Sequence, residues 1–144
     1  MSEALHTVCP HCEAINRLAG ARLADSPKCG QCHRALFDAH PAELTAEKFR
    51  KHLQRNDIPL LVDFWAPWCG PCVAMAPQFA AAAGTLEPRV RLAKVNTELE
   101  QSLAGEFAIR SIPTLILFKG GREIARQSGS LGAADIVRWT QSRI

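Results

Sequence analysis

The six cysteines of this 144-residue chain fall into three pairs of the form Cys-x-x-Cys, and they are its best candidates for chemistry. The three pairs are Cys9/Cys12, Cys29/Cys32 and Cys69/Cys72. A reducing cytosol disfavours a framework of structural disulfides. In a cytosolic chain, pairs at this spacing indicate metal binding or redox chemistry instead.

The third pair lies in the segment Trp68-Cys69-Gly70-Pro71-Cys72, between a predicted strand and a predicted helix. Unpaired N–H groups and the helix dipole place partial positive charge at the start of a helix. A thiolate of Cys69 is stabilised there, so the pKa of Cys69 should fall and its reactivity rise. Cys72 lies one turn further on the same face and deeper in the protein. We expect Cys69 to attack a substrate disulfide and Cys72 to resolve the mixed disulfide.

The four N-terminal cysteines form two knuckles, Cys9-Pro-His-Cys12 and Cys29-Gly-Gln-Cys32, separated by sixteen residues. This spacing fits a tetrahedral zinc site of four thiolates, which leaves no open position for a catalytic water. The sequence therefore predicts one structural zinc held by Cys9, Cys12, Cys29 and Cys32. Three alternatives stay open at this point. They are a second redox pair at Cys9/Cys12, an iron site of rubredoxin type, and replacement of one ligand by His11 or His33.

A change of composition near residue 40 divides the chain into two predicted domains. Residues 1–40 hold four of the five histidines and only one aromatic residue, Phe37. So small a segment cannot form a stable apolar core and needs a stabilising crosslink such as a bound metal. We assign residues 1–40 to a zinc-binding module that ends in a short linker, and residues 41–144 to a larger α/β domain.

Helix and strand patterns alternate in the larger domain. Thr45 is suited to cap a helix that runs to about Arg55, and the apolar run Ile58 to Trp65 predicts a buried strand. Further helices are predicted over 70–86 with a kink at Pro77, over 98–107 and over 132–143, and further strands over 90–96, 114–119 and 122–127. This order predicts a mixed sheet with helices on both faces.

Charge and hydropathy exclude two classes of partner. The net charge is +3 and the basic residues are scattered among acids, which argues against nucleic acid. No apolar run approaches the roughly 20 residues of a membrane helix. Residues Met1 to Thr7 lack the features of a secretory signal, so we expect a cytoplasmic protein, although a mature secreted chain would lack a signal as well.

The segment Trp65-Ala66-Pro67-Trp68-Cys69-Gly70-Pro71-Cys72 closely resembles the active site of thioredoxins, and the resemblance covers about residues 42–144. It implies the thioredoxin fold and protein-disulfide reductase activity with no bound organic cofactor. It also implies recharging by a flavin-dependent thioredoxin reductase that uses NADPH, and disulfide-containing proteins as substrates. A monomer is the default expectation.

The resemblance also implies roles for residues outside this segment. Asp63 matches a buried aspartate that assists proton transfer to the resolving cysteine, and Lys94 matches its lysine neighbour. Pro113 matches a cis-proline that packs against the active site. The substrate is expected to meet an apolar rim formed by Trp68, Ile112, Pro113 and Gly129. Without the resemblance, Asp63 reads as a strand-edge acid paired with Lys94, and Trp65 reads as a core residue.

Zinc knuckles combined with Cys-Gly-Pro-Cys resemble the bacterial thioredoxin-2 group, as does the segment Lys94-Val-Asn-Thr-Glu98. Ser111 stands where many thioredoxins have glycine. Two other roles stay open for the zinc module. Oxidation of its thiolates could release the metal and unfold residues 1–40, which would make it a redox sensor or a chaperone-like binding module. It could also tether the larger domain to a partner.

Overall fold

The computed structural model describes residues 3–144, which form two β-sheets. Met1 and Ser2, the first residues of the predicted zinc module, lie outside this range. A two-stranded antiparallel sheet and a five-stranded sheet contain, in chain order, β1 (Ala4–Val8), β2 (Ile15–Ala19), β3 (Ala42–Glu43), β4 (Leu60–Trp65), β5 (Arg91–Asn96), β6 (Thr114–Lys119) and β7 (Arg122–Ser128). The order in the large sheet is β3-β5-β4-β6-β7. Strand β4 pairs parallel with β5 and antiparallel with β6, so the predicted mixed sheet is confirmed.

Helices cover both faces of the large sheet. They are α1 (Ala46–Arg55), α2 (Gly70–Leu86), α3 (Gln101–Glu106) and α4 (Ala133–Gln141). Phe49 of α1 and Leu103 of α3 pack in one core cluster with Val62 and Phe64. Met75 of α2 and Ile136 of α4 pack in a second cluster on the opposite face, together with Leu61 and Leu115. Alternate residues of β4 therefore point to opposite helix layers, as strand geometry requires.

Most element boundaries follow the sequence, and the differences have local causes. Thr45 caps α1 through a hydrogen bond from the N–H of Lys48 to its hydroxyl, as expected. Helix α3 begins at Gln101, three residues later than predicted. The side chain of Asn96 accepts hydrogen bonds from the N–H groups of Glu98 and Leu99 and holds them in a turn. Strands β1, β2 and β3 were not predicted.

The zinc module and the larger domain meet at a buried interface centred on Arg91. Its Nη2 donates to the carbonyl of Val8 at 3.4 Å, and its guanidinium carbon lies 4.4 Å from the ring centroid of Phe37. On the other side, Nη1 lies 3.7 Å from Oε2 of Glu87. Glu87 also accepts a hydrogen bond of 2.9 Å from the N–H of Ala39 in the predicted linker. Arg91 therefore joins the two modules.

Polar contacts also join the β1–β2 hairpin to the end of α1. The side chain of Asn56 accepts from the N–H of Val8 and donates to Nδ1 of His52, both at 2.8 Å. Nε2 of the buried His52 lies 3.3 Å from Glu13. Burial lowers the pKa of His52. These contacts fix the hairpin on the larger domain.

Replacing Arg91 by methionine should lower the free energy of unfolding by about 3–5 kcal/mol, because Glu87 would stay buried without its cation. Urea unfolding followed by circular dichroism measures this change. Arg89→Met is the matched control, since Arg89 is exposed, and we expect it to change stability by less than about 0.5 kcal/mol. Equal losses in the two variants would contradict the prediction.

Candidate active site and metal centre

Cys69 and Cys72 form a disulfide at the start of α2, with their Cα atoms 5.2 Å apart. Cys69 is the N-cap residue of this helix, and its sulfur accepts a hydrogen bond of 3.2 Å from the N–H of Cys72. A negative charge on this sulfur would thus be stabilised by the helix terminus. Cys69 is 6% exposed and Cys72 1% exposed. Cys69 is therefore the more accessible of the two sulfur-bearing residues.

Gly70 and Pro71 form the first turn of the helix between the two cysteines. Beyond its two chain neighbours and its own helix backbone, a Cβ atom at Gly70 would meet no atom within 4 Å, so the space next to Gly70 is open. Pro71 lies in the first turn, where the missing N–H group leaves no helical hydrogen bond unmade. The two residues thus start the helix while leaving the sulfurs approachable.

Backbone contacts place part of the predicted substrate rim next to the disulfide. The peptide bond between Ile112 and Pro113 is cis, and the carbonyl oxygen of Ile112 lies 3.7 Å from Sγ of Cys69. The N–H of Gly129 donates to the carbonyl of Pro113 at 2.9 Å, and Gly129 has a φ of +100°. Trp68, which precedes Cys69 in the chain, is 70% exposed. The structure therefore brings these residues together around one site.

A groove of about 290 Å³ begins next to Trp68. Its lining residues are Trp68, Thr97, Ala104, Ile109, Arg110, Ser111 and Ile112. The groove adjoins Cys69 through Ile112, whose carbonyl contacts the sulfur. An extended substrate segment bound there would lie next to the attacking atom.

Asp63 lies in the middle strand of the large sheet and is fully buried. Its side chain projects toward the α2 layer, because Leu61, two residues earlier, packs with that helix. Neither carboxylate oxygen has a hydrogen-bond partner. Burial raises the pKa of Asp63 to about 7, against the opposing charge of Lys94. The alternative of a strand-edge acid is wrong, since β4 has a neighbour on both sides, and the burial of Asp63 agrees with the buried aspartate that the resemblance implies.

Lys94 is the cross-strand neighbour of Asp63 in the β4–β5 register. Its ammonium nitrogen lies 4.2 Å from the ring centroid of Trp65. Trp65 is only partly buried, in contrast to the predicted core position, because its indole N–H reaches Glu43 at the sheet edge. Lys94 is therefore next to Asp63 in the sheet, while its ammonium group contacts the ring of Trp65.

The four N-terminal cysteines converge on one point. Their Sγ atoms all lie within 4.8 Å of one another, with 3.7 Å between Cys9 and Cys32 and 3.6 Å between Cys12 and Cys29. A tetrahedral zinc with bonds of about 2.3 Å to sulfur separates its ligands by about 3.8 Å. The donor set therefore fits a zinc ion.

The surroundings of the sulfurs favour the thiolate of Cys29 and disfavour that of Cys9. Sγ of Cys29 accepts from the N–H of Gln31 and from the side chain of Asn16, both at 3.4 Å. Burial acts to raise the pKa of Cys29, but these hydrogen bonds together with one from the Cys32 backbone lower it to about 6. Burial raises the pKa of Cys9 to about 12. A bound cation would supply the charge that four thiolates in so small a volume require.

The two candidate histidine ligands do not join this cluster. Nε2 of His11 lies 3.1 Å from the carbonyl of Ala35 and 3.4 Å from Asp38. His33 is exposed. In the part of the chain that the structure describes, the group able to hold a metal consists of the four cysteines.

Sequence models of two families match this chain. The model described as Thioredoxin matches residues 40–142. The chain belongs to the thioredoxin family. The model described as Thioredoxin 2, N-terminal, a zinc ribbon, matches residues 8–34. The expected resemblance to thioredoxins with an N-terminal zinc module is confirmed.

Related proteins extend this result to nearly the whole chain. Thioredoxin C-3 of Corynebacterium nephridii is 43% identical over 137 residues, which are 95% of this chain and 94% of that protein. Thioredoxin 1 of Nostoc sp. is 42% identical over 90 residues, or 62% of this chain and 84% of that protein. The crystal structure of a thioredoxin from Malassezia sympodialis is similar with a TM-score of 0.64 and 27% identity, over 70% of this chain and 88% of that one. The protein is a thiol–disulfide oxidoreductase with the thioredoxin fold.

Three residues that support the two candidate sites or join the two modules were missed by the sequence analysis. Asn16 donates to Cys29 and accepts from the N–H of Gly30, and so braces the second knuckle. Glu43 accepts from the indole of Trp65, next to Lys94. Arg91 joins the zinc module to the thioredoxin domain. Asn16 could have been predicted as a short polar residue near a knuckle. The contacts of Glu43 and Arg91 depend on strand pairing, which the sequence does not show.

The helices give no support for insertion into a lipid bilayer. Within residues 3–144, none of them combines the length and the apolar character that crossing a membrane demands.

Proposed function

We propose that this thioredoxin is a general, cytoplasmic protein-disulfide reductase that acts as a monomer and is recharged by thioredoxin reductase with NADPH. The observation that carries the proposal is the position of Cys69. Its sulfur lies at the N-terminus of α2, accepts the N–H of Cys72 and adjoins the carbonyl of Ile112. The attacking thiolate is thereby stabilised at the place where a groove can present a substrate disulfide.

The reaction proceeds in two exchanges. The thiolate of Cys69 attacks one sulfur of the substrate disulfide and forms a mixed disulfide, while the other substrate sulfur leaves as a thiolate and takes a proton from water. Cys72 then loses its proton, and its sulfur attacks Sγ of Cys69. The second substrate sulfur leaves, and the Cys69–Cys72 disulfide forms. Two electrons pass from the dithiol to the substrate, and the reductase returns the enzyme to the dithiol.

Asp63 is the proposed acceptor of the Cys72 proton. Asp63 lies on the face of the sheet that packs against α2, Cys72 is a buried residue of that helix, and the Asp63 carboxylate has no hydrogen-bond partner of its own. Its pKa of about 7 suits exchange of a proton near neutral pH. Lys94 is proposed to stabilise the ionised form, because its positive charge acts to lower the pKa of Asp63.

Trp68, Ile112, Pro113 and Gly129 are proposed to bind the substrate. Trp68 and Ile112 line the groove beside Cys69. The backbone at Pro113 and Gly129 is joined by a hydrogen bond, which fixes the rim on the side of β6 and β7. An extended segment of the substrate would pack on the exposed indole and pair with this backbone.

Cys9, Cys12, Cys29 and Cys32 are proposed to hold one structural zinc ion. When bound, zinc supplies a crosslink between the two knuckles and neutralises thiolate charge, and it carries no redox chemistry. Asn16 and the backbone N–H groups of the knuckles orient the sulfurs. The sulfur distances and the small apolar core of the module support this assignment.

The pH dependence of stability should report on Asp63. Its pKa rises on folding from 3.8 to about 7, so the stability it contributes is present below about pH 4 and is lost as pH rises through about 7. The difference corresponds to about 4 kcal/mol. Asp63→Asn should therefore exceed the parent protein in stability by up to about 4 kcal/mol at pH 8 and by much less at pH 4.

Urea unfolding of the oxidised proteins at the two pH values measures this effect. Asp25→Asn, at an exposed carboxylate, is the control and should show the same pH dependence as the parent. A stability difference between Asp63→Asn and the parent that does not change with pH would contradict the prediction.

Reduction of insulin disulfides by NADPH and thioredoxin reductase tests the proposed function, with metal analysis of the same sample. Turnover with about one zinc per chain is expected. A folded, reduced sample without turnover would overturn the general reductase assignment. Turnover in a sample without zinc would overturn the structural zinc, and iron in its place would indicate a rubredoxin-type site.

A further inference from the structure

Glu43 lies in the same cross-strand row as the buried Asp63. In the β3–β5 register Glu43 is opposite Lys94, and in the β4–β5 register Lys94 is opposite Asp63. Both pairings are parallel, so the three side chains project from the same face of the sheet. The row runs from Glu43 at the exposed sheet edge, through the lysine, to the carboxyl group at the centre.

Trp65 connects Glu43 to Lys94. The indole N–H donates to Oε1 of Glu43 at 3.0 Å, and the Lys94 ammonium lies 4.2 Å from the centroid of the same ring. Trp65 follows Asp63 by two residues, so it stands on the same face of the sheet. Glu43 fixes the indole, and the indole in turn holds the ammonium. Asp63 is left without a hydrogen-bond partner.

Few other charges can act on Asp63. Helix α2, which packs over it, contains no acidic or basic residue, and Cys72 is its only titratable group. Strand β6 places Leu115 opposite Asp63 on the other side. The charged groups facing Asp63 are therefore Lys94 from β5 and Glu43 from β3, and they have opposite effects on its pKa.

We infer that Glu43 is a positioning residue of the thiol–disulfide reaction, which holds Trp65 and through it Lys94, and so sets the electrostatic surroundings of Asp63. The inference rests on the proposed role of Asp63 as proton acceptor for Cys72. Glu43 itself touches neither sulfur nor substrate. It keeps the lysine over the ring and adds a negative charge near the buried carboxyl group.

Removal of Glu43 should lower the pKa of Asp63 in two ways. The negative charge that opposes ionisation of Asp63 is lost, and the ammonium is free to approach the carboxylate. The pKa of Asp63 should therefore fall in Glu43→Leu, by about 0.5 to 1 pH unit. Glu43→Gln loses the charge but keeps an oxygen that can accept the indole N–H, so a smaller fall in the same direction is expected.

Carbon-13 NMR titration of the Asp63 carboxyl group in the full-length, oxidised protein tests this inference. The indole N–H signal of Trp65 should shift strongly in Glu43→Leu and weakly in Glu43→Gln. The pH profile of insulin reduction should move to lower pH in the order parent, Gln, Leu. Glu47→Gln, which removes an exposed charge on α1, is the control and should leave the Asp63 titration unchanged.

An unchanged Asp63 titration in folded Glu43→Gln would overturn the inference, and so would an equal shift in Glu47→Gln. The near-isosteric glutamine keeps the test valid if the leucine variant does not fold. The titration does not depend on turnover, so it can succeed even if Asp63 has no role in the reaction. If the proposed role of Asp63 as proton acceptor is wrong, turnover should be unchanged in Asp63→Asn.

Discussion

Replacing Cys69 by serine should reduce insulin-disulfide turnover by at least about a thousandfold, because the remaining thiol in the first turn of α2, that of Cys72, is only 1% exposed and cannot take its place. A serine hydroxyl at this position is not ionised near neutral pH and cannot form a mixed disulfide. Turnover is measured as NADPH oxidation in the presence of thioredoxin reductase and insulin. The matched control is Ala74→Ser on the exposed side of α2, which should keep parental turnover.

The variants Cys69→Ser and Cys72→Ser should lose activity at different steps of the reaction. Cys72→Ser keeps the attacking sulfur, so the first exchange proceeds and the mixed disulfide accumulates because no second thiol resolves it. Mass spectrometry should therefore detect a covalent adduct of substrate with Cys72→Ser and none with Cys69→Ser. Adducts trapped on Cys72 in Cys69→Ser, or retained turnover in that variant, would reverse or remove the proposed roles.

The sequence predicted the parts of the site that are close together along the chain or carry a known motif. The dithiol at the start of α2 follows from an apolar strand, a short loop and a helix signal. Asp63 and Pro113 were proposed as site residues through the resemblance to thioredoxins, because no local pattern distinguishes a buried proton acceptor from an ion-paired acid. The structure adds that the Asp63 oxygens have no hydrogen-bond partner.

The residues that sequence analysis missed depend on pairings between distant segments. Strand β3 has only two residues, Ala42 and Glu43, too few to show an alternating pattern. Its pairing with β5 nevertheless places Glu43 beside Lys94. Arg91 similarly reads as an ordinary basic residue at the start of a strand. Its burial follows from the docking of Val8 and Phe37, more than fifty residues away in the chain.

The zinc module shows why a composition argument can locate a site without giving its elements. The shortage of apolar residues predicts that residues 1–40 need a crosslink such as a metal, and one buried apolar cluster of the module consists of Cys9, Cys29 and Leu36. The hairpin of β1 and β2 has partly exposed strands with weak alternation. Its register is instead set by the knuckles and by contacts with α1.

Removal of the metal should unfold the zinc module while the sheet of the thioredoxin domain stays folded. Structural zinc sites contribute about 10–16 kcal/mol of binding free energy. Within residues 3–40, two of the four buried apolar residues, Cys9 and Cys29, are themselves proposed ligands. Hydrogen exchange of the protein treated with a strong chelator should therefore show loss of amide protection in β1, β2 and Cys29–Leu36. Strands β4, β5 and β6 should stay protected.

The thioredoxin domain should nevertheless lose part of its stability, because Arg91 and Asn56 lose their partners on Val8 and Phe37. Cys32→Ser should reproduce the effect of the chelator by removing one ligand. Gln31→Ala, an exposed change in the same knuckle, should keep both the metal and the protection. If β1 and β2 stay protected after the metal has been removed, the metal is not what folds the module. The buried contacts of Arg91 and Asn56 with Val8 and Phe37 of the zinc module would then be sufficient to hold the hairpin in place.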